Sequence, residues 1–146
     1  MAKIQVIYGS DTGNSEEFAT EIADHFGVEA VEGDAVEVSE LPEAETLIIV
    51  TSTSGDGEFP GNFEEFYTKL EEEKPDLSNT KFAVFGLGST SYDEFCAAAK
   101  KVEELLPKFG ASKIDISVSN YGDDEDADGF KTKAEPWFEQ LKQKLS

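Results

Sequence analysis

Runs of apolar, β-branched residues alternate with stretches of helical periodicity from one end of the chain to the other. Ile4-Gln5-Val6-Ile7-Tyr8 reads as a first strand, followed by a polar loop from Gly9 to Ser15. From Ser15 onward, Phe18, Ala19, Ile22, Ala23 and Phe26 form one stripe, with the spacing of a helix that buries a single face. Gly27 then stands where a left-handed residue would close that helix. A short second strand is expected over Val28–Val31, leading to a loop around Gly33 and Leu41-Pro42. Leu47-Ile48-Ile49-Val50 is continuous rather than alternating, as in a strand buried on both faces. A loop from Thr51 to Gly61 precedes a helix with Phe63, Phe66, Tyr67 and Leu70 on one side. Phe82-Ala83-Val84-Phe85 is the next buried strand, ending at Gly86-Leu87-Gly88. A third helix carries Phe95, Ala98, Ala99, Val102, Leu105 and Leu106 until Pro107 and Gly110 stop it. Alternation at Ile114, Ile116 and Val118 predicts a fifth strand nearer an edge. Phe130, Ala134, Trp137, Phe138, Leu141 and Leu145 mark a final helix.

Five strands interleaved with helices imply an α/β fold, a parallel sheet with right-handed crossovers and both faces covered. With no linker or repeat along the chain, residues 1–146 read as one domain. In such sheets ligands sit beyond the carboxyl ends of the strands, where the strand order switches direction. The loops after the first, third and fourth strands are therefore the places to look for a site.

Composition narrows the function classes. A length of 146 residues, 38% of them hydrophobic and 11 of them Phe, fits one ordered domain with a substantial core. A formal net charge of −20 repels phosphate backbones and anionic membranes and favours basic partners. The same charge also reads as a solubility or halophilic surface, so its position must decide. No apolar run approaches the ~20 residues of a membrane helix, and Met1-Ala2-Lys3-Ile4 lacks the layout of a signal peptide. Cys96, the single cysteine, gives neither an internal disulfide nor a zinc spacing. The expected location is the cytoplasm.

The three loops are unusual in composition. Ser10-Asp11-Thr12-Gly13-Asn14-Ser15 supplies hydroxyls, an amide, a glycine and helix-start N–H groups, the donors a phosphate needs. It contains no lysine or arginine and is not a Walker A loop, which suits a monophosphate held by neutral hydrogen bonds. Its alternative reading is a plain helix cap by Asn14 or Ser15. Thr51-Ser52-Thr53-Ser54-Gly55-Asp56-Gly57-Glu58-Phe59-Pro60-Gly61 is long and glycine-rich, so a peptide in it can flip at low cost. Its alternative is an ordinary surface loop with Phe59 folded onto the core. Gly86-Leu87-Gly88-Ser89-Thr90-Ser91-Tyr92-Asp93-Glu94-Phe95-Cys96 lacks the third glycine of a dinucleotide fingerprint. It makes better sense as a backbone edge for a flat ring with Tyr92 stacked on it, against the alternative that Tyr92 simply packs.

Taken in order, Ser10-x-Thr12-Gly13-Asn14-Ser15, Thr51-Ser52-Thr53-x-Gly55-Asp56-Gly57 and Phe85-Gly86-Leu87-Gly88-Ser89-x-x-Tyr92 resemble the FMN phosphate loop and the two isoalloxazine loops of flavodoxins. The resemblance covers nearly the whole chain and extends to the small MioC-type flavodoxins and the FMN domains of diflavin reductases. It implies a flavodoxin-like three-layer α/β/α sandwich, a five-stranded parallel sheet of order 2-1-3-4-5, of the short-chain type. It further implies that Ser10, Thr12, Asn14 and Ser15, with N–H groups across Asp11–Ser15, hold the FMN phosphate. The Gly55 carbonyl would accept a hydrogen bond from flavin N5–H after a flip of the Gly55–Asp56 peptide, favouring a neutral semiquinone. Tyr92 would cover the outer face of the ring, and backbone groups of Gly86–Gly88 and of Tyr92–Cys96, Phe95 included, would meet its pyrimidine edge. Many relatives carry Trp or Tyr at the position of Ser54. Serine cannot cover the inner face, so Phe59 takes over or that face is more open.

The function implied is that of a low-potential electron carrier, monomeric, docking transiently to basic-surfaced reductases and acceptors. Asp11, Asp56, Glu58, Asp93, Glu94, Asp123 and Asp124 lie in the expected rim loops, where their charge would oppose full reduction of the flavin. Two other classes compete: a dedicated FMN partner or quinone-type flavoenzyme, and an interaction module that lost FMN. Against enzymatic turnover by the chain alone, His25 reads as a helix-face residue, Cys96 as a small packing residue and Trp137 as core.

Overall fold

The computed structural model describes residues 4–9, 14–52, 61–88, 97–118, 120–123 and 131–145. Strand β1 spans Ile4–Gly9, helix α1 Asn14–Phe26 and strand β2 Ala30–Glu32. Strand β3 covers Thr46–Ser52, helix α2 Gly61–Glu73 and strand β4 Lys81–Gly88. Helix α3 runs Ala97–Leu105 and tightens into a 3-10 turn at Leu106–Phe109. Two short strands, β5 at Ser112–Lys113 and β6 at Tyr121–Asp123, precede helix α4 at Lys131–Leu145. Every strand pair is parallel, and the order is β2-β1-β3-β4-β5, with β6 also on β4.

The continuous apolar strands have a direct cause. Successive side chains of a strand point to opposite faces, and here both faces are covered. Ile7, Leu47, Ile49, Phe82 and Val84 meet Phe63, Phe66 and Leu70 of α2 and Val102 of α3. Val6, Tyr8, Ile48, Val50, Ala83 and Phe85 meet Phe18 and Ile22 of α1 and Trp137 and Leu141 of α4. The result is the expected three-layer sandwich, with Trp137 in the core.

Helix ends follow local chemistry. Gly27 has φ +71°, its N–H bonds to the Asp24 carbonyl, and the Val28 N–H reaches back to Ala23 at 2.9 Å. This six-to-one closure of the helix is a Schellman motif. It occupies Val28, so β2 begins at Ala30 rather than at the expected Val28. Gly110, with φ +96°, closes the turn after α3 in the same way, through Pro107 and Leu106.

Two expectations are corrected. The expected loop around Gly33 and Leu41-Pro42 holds structure of its own: 3-10 turns at Gly33–Ala35 and Val38–Glu43 fold Val36, Val38 and Leu41 into the α2-side core. The fifth strand is not a single run through Ile114, Ile116 and Val118. Its place in the sheet is shared by β5 and β6, so among the described residues the sheet has six strands in five positions. The alternation there marks burial, since Ile114, Ile116 and Val118 pack into the α1/α4-side core. Beyond Ile114, whose N–H bonds to the Phe82 carbonyl, the chain turns to side chains: the Ser117 N–H donates to Gln140 Oε1 on α4 at 2.8 Å.

Candidate functional site

Parallel pairing brings the carboxyl ends of four strands level. Gly9 lies opposite Thr51, Thr51 opposite Gly86, and Gly86 opposite Tyr121. One residue further, Ser52, Leu87 and Gly122 align, and then Gly88 with Asp123. The chain segments after Gly9, Ser52, Gly88 and Asp123 therefore all leave the same edge of the sheet. That edge includes the switch in strand order, where β1 has β2 on one side and β3 on the other.

Among the expected site residues, Asn14 opens α1 and Ser15 lies in its first turn. Ser15 is fully buried, and its Oγ has no hydrogen-bond partner among the described residues. Thr51 is fully buried at the end of β3, and Ser52 is that strand's last residue. Gly86, Leu87 and Gly88 end β4, and the Leu87 side chain packs into the core. Leu87 can thus offer only its backbone to a ligand. Ser10, Asp11, Thr12, Gly13, Thr53, Ser54, Gly55, Asp56, Gly57, Phe59, Tyr92, Phe95 and Cys96 lie outside the described residues.

Two features escape a reading of the sequence. Strand β6 adds a fourth wall beside Gly86–Gly88; three residues are too few to show a period, and only the Tyr121-Gly122 pair before the acidic run hints at it. Gly9 is the second. A Cβ there would come within 2.4 Å of Phe63 Cβ, so its lack of a side chain lets α2 close over the end of β1. This contact holds the start of α2 beside the end of β1.

A buried hydroxyl without a partner costs about 1–3 kcal/mol. This one stands in the first turn of a 13-residue helix, the kind of helix start whose backbone N–H groups can bind an anion. FMN fits this donor set. Ser15 and the N–H groups at the start of α1 would hold its phosphate without a formal positive charge, and the backbone of Gly86–Gly88 would offer an edge to its ring. Among the described residues, the groups with displaced pKa values lie away from these strand ends: Tyr67 on α2, and Asp76, lowered by hydrogen bonds from Ser78. A surface groove lined by Glu21, Glu135, Phe138 and Glu139 runs between α1 and α4, on the flank of the sheet rather than at the strand ends. Among the described residues, no cluster of three or more His, Cys, Asp or Glu could hold a metal ion, and no helix is long and apolar enough to cross a membrane.

Comparison with known proteins agrees with this geometry. The chain is 35% identical over 147 residues to Protein MioC of Escherichia coli K12, covering 94% of this chain and 95% of that protein. It is 36% identical over 144 residues to the mitochondrial pyruvate dehydrogenase [NADP(+)] of Euglena gracilis and 40% identical over 121 residues to human NADPH–cytochrome P450 reductase. The matches cover 92% and 76% of this chain but only 8% and 18% of those two proteins. Oxidised flavodoxin 2 of Bacillus cereus superposes with a TM-score of 0.77 at 32% identity, covering 99% of this chain and 98% of that one. A cysteine-to-serine mutant of the flavodoxin from Pseudomonas aeruginosa gives a TM-score of 0.82 at 28% identity, covering 98% of each chain. The sequence model of the flavodoxin family matches residues 6–137, and the chain belongs to that family.

Proposed function

We propose that this chain is a low-potential carrier that passes single electrons between larger oxidoreductases. Family membership makes it an FMN-binding electron-transfer protein. The finer reading is that FMN, held at the level ends of β1, β3, β4 and β6, is stable as a neutral semiquinone. The observation that carries the proposal is the buried Ser15 hydroxyl in the first turn of α1, without a partner among the described residues, near the level carboxyl ends of the strands.

When bound, FMN supplies one-electron chemistry whose potentials its surroundings set. The protein's own part is to bind and orient it. Ser15 and the α1 backbone would fix the phosphate, and the Gly86–Gly88 backbone would fix the ring edge. The Gly55 carbonyl would accept a hydrogen bond from N5–H, and the acidic rim would oppose further negative charge. On this reading the chain is a monomer that docks transiently to basic-surfaced reductases and acceptors, and turns over no substrate of its own. The two long relatives, of which the match spans 8% and 18%, favour a second reading, a dedicated partner of one enzyme. The near-complete match to MioC favours the first.

Anaerobic, stepwise reduction of the FMN-loaded protein, followed by visible absorbance, tests the proposal. A long-wavelength band that rises and then falls is expected. Direct two-electron bleaching refutes the carrier mechanism, and failure to retain FMN refutes the site.

A further inference from the structure

Glu103, on α3, has a side chain only 10% exposed, and three donors converge on its carboxylate. Lys113 Nζ approaches at 2.8 Å, Asn120 Nδ2 at 3.1 Å, and the Tyr121 hydroxyl also donates to it. Lys113 belongs to β5 and Tyr121 to β6, with Asn120 immediately before it. One carboxylate thus ties both halves of the split strand to one helix. Lys100, one turn earlier on α3, lies 5.3 Å from the centre of the Tyr121 ring, so α3 holds this tyrosine at two points.

Strand β6 needs such support. It has three residues and a single ladder, to β4, and short pairs of this kind are marginal by themselves. Asn120 adds two bonds to β4: its Nδ2 donates to the Val84 carbonyl at 3.0 Å, and its own carbonyl accepts the Gly86 N–H at 2.9 Å. A slip of one residue would turn every β6 side chain to the other face and carry Gly122 and Asp123 away from Gly86–Gly88.

We infer that Glu103 is a positioning residue for the flavin site. It touches no ligand itself. By gripping Lys113, Asn120 and Tyr121 it fixes the register of β6 on β4, and so sets the backbone edge at Gly86–Gly88 and the place of Asp123 beside it. The inference rests on the FMN reading for the identity of the ligand, but not for the register.

The test uses the full chain with Glu103→Gln, Glu103→Ala and Tyr121→Phe. In flavin-free protein, amide hydrogen exchange at Gly86 should rise about tenfold or more in Glu103→Ala, while the amides of β1 and β3 keep their protection. In the same variant the FMN dissociation constant should rise about tenfold and the one-electron potentials should shift. Glu103→Gln, which keeps an acceptor oxygen, should recover part of both effects. Unchanged Gly86 exchange with wild-type FMN affinity and potentials would overturn the inference. So would a rise in exchange spread evenly over all strands, since that shows a role in global stability alone. Should Glu103→Ala not fold, Glu103→Gln and Tyr121→Phe decide by the same readouts. Wild-type protein that takes up no FMN refutes the carrier reading instead, and Gly86 exchange still decides the register.

Discussion

Ser15 ties folding and binding together with opposite signs. Its buried hydroxyl has no partner among the described residues, so in the flavin-free protein Ser15→Ala should leave stability unchanged or raise it by about 1 kcal/mol. The same change removes a phosphate donor and should weaken FMN binding about tenfold. Urea midpoints without flavin, set against a fluorescence titration with FMN, would show the two effects diverge; parallel losses would mean that Ser15 is ordinary core. Gly9 acts through space alone. With a prospective Cβ 2.4 Å from Phe63 Cβ, Gly9→Ala must push α2 away from β1 and should cost about 1–3 kcal/mol, measurable in urea unfolding of the flavin-free protein. The helix start at Asn14 and Ser15 is legible in the sequence, because a run of hydroxyls before a helical stripe announces a phosphate loop or a cap. Gly9 is not, because what makes it necessary is the side chain of Phe63, distant in sequence and on another element.

At the scale of elements, Tyr67 links α2 electrostatically to Glu104 of α3. The Tyr67 phenol on α2 has its pKa raised above the ordinary 10.0 by partial burial first, and then by Glu71 and Glu104. The folded protein keeps that proton to higher pH than the unfolded chain does. The associated stability is complete below the phenol's ordinary range and is lost as pH rises through the raised value. Urea midpoints of wild type and Tyr67→Phe, compared from about pH 8 to about pH 11, should therefore draw apart at the alkaline end, with the wild type falling more steeply. Most elements were legible for a simple reason: strands buried on both faces read as unbroken apolar runs, and helices buried on one face read as stripes. The fifth strand was misread because apolar alternation reports burial, whereas a strand also needs a ladder. At Ser117 the backbone donor goes to the Gln140 side chain instead.

For the whole molecule, the net charge of −20 sets long-range behaviour. Glu16 and Glu17 stand in the first turn of α1, beside the candidate phosphate site, and β6 ends at Asp123, so part of the charge lies at the working edge. At an effective dielectric of about 20, one charge ~10 Å away contributes roughly 1.7 kcal/mol before screening. For a one-electron step this is on the order of 70 mV. Salt shortens the reach of such charges. The potential for full reduction should therefore become less negative as ionic strength rises, and association with a basic reductase should slow. Spectroelectrochemistry and stopped-flow mixing across a salt series check both; potentials indifferent to salt would confine the acidity to solubility.

The break between β5 and β6 makes the sheet unequal in its tolerance of change. Lengthening β3, which has β1 on one side and β4 on the other, would disrupt two ladders at once. From Ile114 to Val118 the chain is held to its surroundings by side chains more than by pairing. Doubling its length there adds only about 0.6 kcal/mol of closure entropy. An insertion there should therefore cost less than one in β3, so long as Ile114, Ile116 and Val118 keep their places in the core and Asn120 and Tyr121 their grip on α3.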